Sequence, residues 1–115
     1  MSTTTITRTN TFQVLAEPTR RTIIEMLAEN GELAASDIYE HFDVSAPAIS
    51  QHLKVLHDAN FVQVERRAQQ RIYTINTESL QELEDWAYKM RDMWNKRFDA
   101  LDKLLGEEKS KNLKL

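Results

Sequence analysis

Residues 45–56 read Ser45-Ala46-Pro47-Ala48-Ile49-Ser50-Gln51-His52-Leu53-Lys54-Val55-Leu56, and the fold follows from what this stretch does as a helix. The Ser45 hydroxyl can accept from a free first-turn N–H, which starts the helix. Pro47 falls in the first turn, where a missing N–H costs little. Ile49, Leu53 and Leu56 recur at helical spacing and form one apolar stripe. The other side carries Ala46, Ala48, Ser50, Gln51 and Lys54, which are small, neutral or basic. Such a face suits the major groove of DNA. Small residues let the backbone approach, while Gln, Ser and Lys reach base edges or phosphates.

Working upstream, Ile38, Phe42 and Val44 are apolar, and Asp43-Val44-Ser45 breaks the chain before the next helix. A helix, a short turn and a second helix sharing one apolar seam make a helix-turn-helix. Downstream, after Asn60, the period changes from helical to alternating. Val62 and Val64 alternate with Gln63 and Glu65. Ile72 and the Thr74/Ile75 region follow a polar, basic segment, Arg66-Arg67-Ala68-Gln69-Gln70-Arg71. Two strands around a basic tip form a β-hairpin, or wing, over 61–76. The tip lacks the Gly or Asn-Gly of a tight turn, so a longer, mobile loop is expected.

The rest of the chain frames this centre. Residues 1–7 are a polar tail. A first short helix spans about Arg8 to Ala16, with Phe12 and Leu15 on one side. A second runs from Pro18 to about Asn30, with Ile23, Ile24 and Leu27 inward. A third covers roughly Ala35 to Phe42. Pro18 and Pro47 lie where helices start, Gly31 and Gly106 where they stop. Asn60 suits the left-handed residue that closes the fourth helix, which spans about 45–59. From Thr77 to about Leu105 the pattern is helical again. Leu80, Leu83, Trp86, Ala87, Met90, Met93, Trp94, Phe98, Leu101, Leu104 and Leu105 give it a broad apolar face. A small core cannot cover that face, and exposed monomeric patches of this size are uncommon. A second copy of the chain is the economical cover, with Phe12 and Leu15 contributing. Residues 107–115 are expected to be a flexible charged tail. The architecture is thus mainly α with a small β-hairpin: one winged helix-turn-helix domain over 8–106, ending in a long dimerisation helix.

Totals set bounds on chemistry. With 115 residues the chain fits one domain of modest core. It holds no cysteine, which excludes disulfides, thiolate metal sites and thiol redox sensing, and fits a cytoplasmic protein. No apolar run reaches the ~18 residues of a membrane span, and the start, Met1-Ser2-Thr3-Thr4-Thr5-Ile6-Thr7-Arg8, lacks a signal-peptide core. Net charge is −3, yet between Ser45 and Tyr73 Lys54, Arg66, Arg67 and Arg71 meet only Asp58 and Glu65. A local basic face can bind DNA from an acidic chain, with strong salt dependence.

The order of helices, wing and last helix carries three motifs. They are Leu15-Ala16-Glu17-Pro18-Thr19-Arg20-Arg21, the Ser45–Leu56 stretch and Arg71-Ile72-Tyr73. Over residues 10–105 the chain resembles the ArsR family of bacterial winged-helix repressors. The resemblance implies a homodimer that binds a double-stranded operator and blocks transcription. The Ser45–Leu56 helix would read the major groove, and the Arg66–Arg71 tip would touch backbone or minor groove. An unidentified small-molecule or protein inducer would release it. The family's arsenic and cadmium sites use cysteines, and its zinc sites pair Asp and His on the last helix. Here there is no cysteine, and the last helix has no His. The resemblance therefore carries DNA binding and dimerisation but no metal sensing, as in metal-independent members. Asn60 stands where Gly is usual and Glu17 where Asp is usual.

The candidate DNA-contacting residues are Ser45, Ala46, Pro47, Ala48, Ser50, Gln51, His52, Lys54, Arg66, Arg67, Gln69, Gln70 and Arg71. Each has a plainer reading. His52 either bonds DNA or braces its helix from a half-buried position. Ser50 and Gln51 either reach bases or are solvated. The three arginines either meet phosphates or are solvated charges on a hairpin tip. Arg20 and Arg21 either touch phosphate or pair with Glu17 or Glu25. The candidate dimer residues are Phe12, Leu15, Leu83, Trp86, Met90, Trp94, Phe98 and Leu101, and Trp86 and Trp94 could instead line a ligand pocket. Asp37 and His41 are four apart, but neither they nor His57 find a second ligand pair, so no metal or other cofactor is expected. Nothing supports catalysis: there is no cysteine nucleophile, no Gly-rich phosphate loop, and Ser50 and His52 project about 200° apart on a helix. The rival reading is a winged-helix protein-interaction module without sequence-specific DNA binding, which the acidic net charge favours.

Overall fold

The computed structural model describes residues 11–113, with side chains through 107. Residues 11–16 are helical and form α1 as far as it is described; the readings placed on residues 1–10 lie outside the described residues. Then follow α2 (Pro18–Asn30), β1 (Glu32–Ala34), α3 (Ala35–His41), α4 (Ala46–Asp58), β2 (Val62–Arg67), β3 (Gln70–Ile75) and α5 (Thr77–Leu113). The three strands form one antiparallel sheet in the order β1-β3-β2. The described residues fall into two compact units, one ending at Leu83 and the other starting at Glu84.

Local chemistry sets the helix ends. The Glu17 carboxylate accepts from the Arg20 N–H at 3.1 Å and caps α2. Gly31 closes it at φ 82°, donating its N–H to the Leu27 carbonyl at 2.8 Å. That left-handed backbone is where glycine has the least steric penalty. Asn60 does the same work after α4 at φ 62°. In α3 the Asp37 carboxylate accepts from the Ala34 N–H at 3.3 Å and caps the first turn.

The core of the first unit joins Ile23, Ile24 and Leu27 of α2, Ile38 of α3 and the expected α4 stripe of Ile49, Leu53 and Leu56. Val14, Phe61, Val62 and Tyr73 complete it. Phe61, fully buried, also carries main-chain bonds that tie the end of α4 to the end of β3. Its N–H donates to Leu56 O and its carbonyl accepts from Asn76, both at 2.9 Å. In α1 the inward residues are Thr11 and Val14, while Phe12 is exposed. Val44 is also exposed, so it does not join the seam that the sequence assigned to it; Phe42 does pack against the core.

Three elements differ from the sequence reading. Glu32–Ala34, given no element from the sequence, pairs with Ile72–Thr74 of β3 as a third strand just before α3. The wing tip is not a long loop: Arg67 pairs with Gln70, leaving a two-residue turn in which Ala68 takes φ 56°. A non-glycine residue there accepts about 1–2 kcal/mol of steric cost, offset by a ladder that runs to the tip. The last helix does not stop at Gly106 but continues to Leu113, so residues 107–113 are helical rather than a loose tail. One exposed glycine costs a helix only ~1 kcal/mol, and Leu104, Leu105 and Glu107 around it are good helix formers.

Within the second unit, α5 exposes Trp86, Met90, Met93, Trp94, Phe98, Leu101, Leu104 and Leu105. The Trp94 and Phe98 rings lie one turn apart along the helix, centroids 6.2 Å apart and planes tilted by 54°. Met90/Leu101, Met93/Leu104 and Trp94/Leu105 recur at one constant interval, about 3.67 residues per turn, which keeps an apolar stripe on one side of the helix.

Candidate nucleic-acid interface

Helix α4 supplies one wall of the site. Ser45 caps it: its Oγ accepts from the Ala48 N–H at 3.4 Å and its carbonyl from Ile49 at 3.2 Å. Burial of Ile49, Leu53 and Leu56 turns the opposite side outward. Ser45, Ala46, Pro47, Ala48, Gln51 and Lys54 are exposed, and Ser50 is half-buried. The helix therefore presents an N-terminal half with almost no side-chain bulk, followed by an amide and an ammonium.

The wing supplies the other wall. Pro47, Ser50, Gln51, Lys54 and His57 of α4 line a groove with Val64, Arg71 and Tyr73 of the wing. Burial pushes the Tyr73 phenol above its ordinary pKa, opposed by the positive charge of Arg71.

The pleat then sorts the three arginines. Residues directly opposite in an antiparallel pair share a face. The register pairs Val64 with Tyr73 and Arg66 with Arg71, so both of these arginines share the face that looks on the α4 groove. Arg67 and its partner Gln70 belong to the reverse face. There Arg67 forks onto Glu32 at 2.7 and 3.3 Å and reaches Glu65 at 2.9 Å. These two carboxylates raise its already high pKa further. Lys54, Arg66 and Arg71, by contrast, form no ion pair among the described residues. Gln69 sits exposed at the turn.

His52 lies off this face. It is half-buried, with Nδ1 3.2 Å from the Arg20 guanidinium and Nε2 3.9 Å from the Glu17 carboxylate. Arg20 also donates to the carbonyls of Val14 at 2.7 Å and Gln13 at 3.4 Å, and Arg21 donates to Leu15 O. Both arginines thus bind the C-terminal end of α1 rather than Glu25. The Glu32 grip on Arg67 and the His52–Arg20 contact were not readable as pairs from the sequence. The first depends on a three-residue strand, the second on how α2 and α4 pack.

Of the candidate dimer residues, Phe12, Trp86, Met90, Trp94, Phe98 and Leu101 are exposed, while Leu15 and Leu83 pack partly against the core of the first unit. Among the described residues no three His, Cys, Asp or Glu gather as a metal ion would need, and no helix is long and apolar enough to cross a membrane.

Comparison with known proteins bears on this geometry. Residues 17–64, from the cap of α2 to the middle of β2, match the family model described as bacterial regulatory protein, arsR family. The chain is 40% identical over 77 residues to the transcriptional repressor SdpR of Bacillus subtilis, spanning 67% of this chain and 84% of that one. It is 38% identical over 69 residues to an arsenical resistance operon repressor of Staphylococcus xylosus, spanning 60% of this chain and 65% of that one. In fold it is similar to an ArsR-like transcriptional regulator from Rhodococcus sp. RHA1, with a TM-score of 0.75, 21% identity, and coverage of 90% of this chain and 96% of that one.

Proposed function

Because the chain belongs to the ArsR family of bacterial regulatory proteins, we propose that it works as a homodimeric, DNA-binding transcriptional repressor. Residues 8–106 act as one functional unit. The 45–59 helix of each protomer enters the major groove, and the 61–76 wing lies on the adjacent backbone. Gln51 and Ser50 read base edges, Lys54, Arg66 and Arg71 meet phosphates, and Ala46, Pro47 and Ala48 let the helix backbone approach closely. The two reading helices occupy successive major grooves ~34–36 Å apart on a pseudo-palindrome. Bound there, the protein excludes polymerase. An inducer releases it by favouring a dimer with the wrong helix spacing. With no cysteine in the chain, that signal is not a thiolate-bound metal.

The observation that supports this reading most is the pairing of Arg66 with Arg71 on the groove side of the wing. Like charges directly opposite destabilise a hairpin. A phosphate between them turns that cost into affinity. Dimerisation through α5 is supported by its exposed Trp, Met, Phe and Leu residues, a larger apolar surface than a lone protomer ordinarily leaves in water.

A titration of the protein onto the DNA upstream of its own gene, at rising salt, tests the function. Saturable binding whose log affinity falls linearly with log salt is expected, with about 0.9 in slope for each phosphate engaged. Binding no tighter than to a scrambled duplex at ~50 mM salt, where phosphate contacts are strong, would favour the protein-interaction module instead.

A further inference from the structure

Resting on the DNA-binding reading above, we propose that His52, Arg20 and Glu17 form a polar pin that sets the pose of α4, so that His52 positions the reading helix rather than touching DNA.

The apolar stripe of Ile49, Leu53 and Leu56 holds α4 to the core. Burial of this stripe decides which side of α4 faces in, but it is non-directional and leaves the last few degrees of roll to be set by a bond. A directional bond refines that roll, because Gln51 and Lys54 must reach the groove at a set angle. His52 neighbours Gln51 but lies about 100° round the helix from it. There its Nδ1 meets the Arg20 guanidinium at 3.2 Å.

The Arg20 contact selects one tautomer of the ring. An arginine only donates, so Nδ1 accepts and the ring proton resides on Nε2. That nitrogen is turned toward the Glu17 carboxylate at 3.9 Å. Glu17 is itself fixed, because the same oxygen accepts the Arg20 N–H as the cap of α2. Arg20 is fixed from its other side by the carbonyls of Val14 and Gln13 at the end of α1, where a cation is favoured. Three helix ends or faces therefore converge on one half-buried histidine. Its one hydrogen bond, to Arg20, and the nearby Glu17 carboxylate both come from the α1–α2 junction, and His52 is not among the residues that line the groove.

Operator binding across a salt series separates positioning from contact. His52→Phe is expected to bind about tenfold more weakly, because only a fraction of molecules then holds the competent pose. Its salt slope is expected to match the wild type, since no phosphate contact is lost. His52→Asn, whose Oδ1 can stand in for Nδ1 as acceptor, is expected to recover most of the affinity. Unchanged affinity in His52→Phe overturns the proposal. So does a slope smaller by about 1.8, the sign of one phosphate lost per protomer of a dimer, or a His52→Asn variant as weak as His52→Phe. Should His52→Phe fail to fold, long-range nitrogen–proton spectra of the wild-type protein decide. They are expected to show an unprotonated, hydrogen-bonded Nδ1 and a protonated Nε2; the opposite tautomer overturns the pin. A wild-type protein that binds no operator would refute the function proposed above, and the spectra, which need no DNA, then judge the pin alone.

Discussion

Arg66 and Arg71 stand directly opposite each other across the wing hairpin, on the side that faces the α4 groove. The arrangement sets stability against binding. Replacing Arg66 with Glu creates an opposite-charge pair with Arg71, expected to stabilise the hairpin by about 0.2–1 kcal/mol. The same change removes a phosphate contact from each protomer, so the salt slope of operator binding is expected to fall by about 1.8. Thermal melts and salt titrations on one preparation check both; a variant that gains stability and keeps its slope would remove Arg66 from the interface.

Arg67 is expected to behave differently, although it is the immediate neighbour of Arg66. Glu32 and Glu65 already occupy its guanidinium. Arg67→Ala is expected to leave the salt slope unchanged. Glu32→Gln is expected to loosen Arg67 and to raise affinity for DNA at low salt by removing a nearby negative charge. Comparing these two variants with Arg71→Ala by fluorescence anisotropy tests whether the pleat sorts the arginines as the register indicates.

Gln51 is exposed in the middle of the α4 groove face. Gln51→Glu is expected to weaken operator binding by about 1–3 kcal/mol, the worth of a good bidentate base contact, and to leave the melting temperature in place. Equal binding of both proteins to the operator would exclude Gln51 as a reader of bases.

Trp94 is 62% exposed in the protomer, so Trp94→Asp removes little from the fold of one chain. At a dimer interface the same change places a charge where a large aromatic anchor stood, and truncation of such anchors costs upward of about 2 kcal/mol. Sedimentation is expected to show a wild-type dimer and a monomeric variant. A variant that still sediments as a dimer would place the interface elsewhere.

Much of this was legible in the residues. The stripe of Ile49, Leu53 and Leu56 is long and periodic enough to declare a helix, and Ser45, Pro47, Gly31 and Asn60 mark ends by simple backbone chemistry. The wing was legible as alternation, but its tightness was not, because Ala68 takes a left-handed backbone that the sequence gives no reason to expect. That one turn decides the parity of the hairpin, and with it which arginines share the groove. Strand β1 escaped because three residues cannot display a period; only pairing with β3 defines it. Gly106 misled because a helix tolerates one glycine when its neighbours propagate well. His52 was ambiguous in sequence because a groove contact and a helix brace require the same residue, and only the packing of α2 against α4 puts Arg20 beside it.

A hydroxyl-radical footprint of the wild-type protein on the DNA upstream of its gene tests the central claim most directly. Two protected patches are expected, related by a pseudo-two-fold axis and centred one helical turn apart, ~34–36 Å. Weaker flanking protection is expected where the wings lie. Protection of one patch alone, or uniform protection without a centre, would contradict a dimer that reads its operator with paired α4 helices.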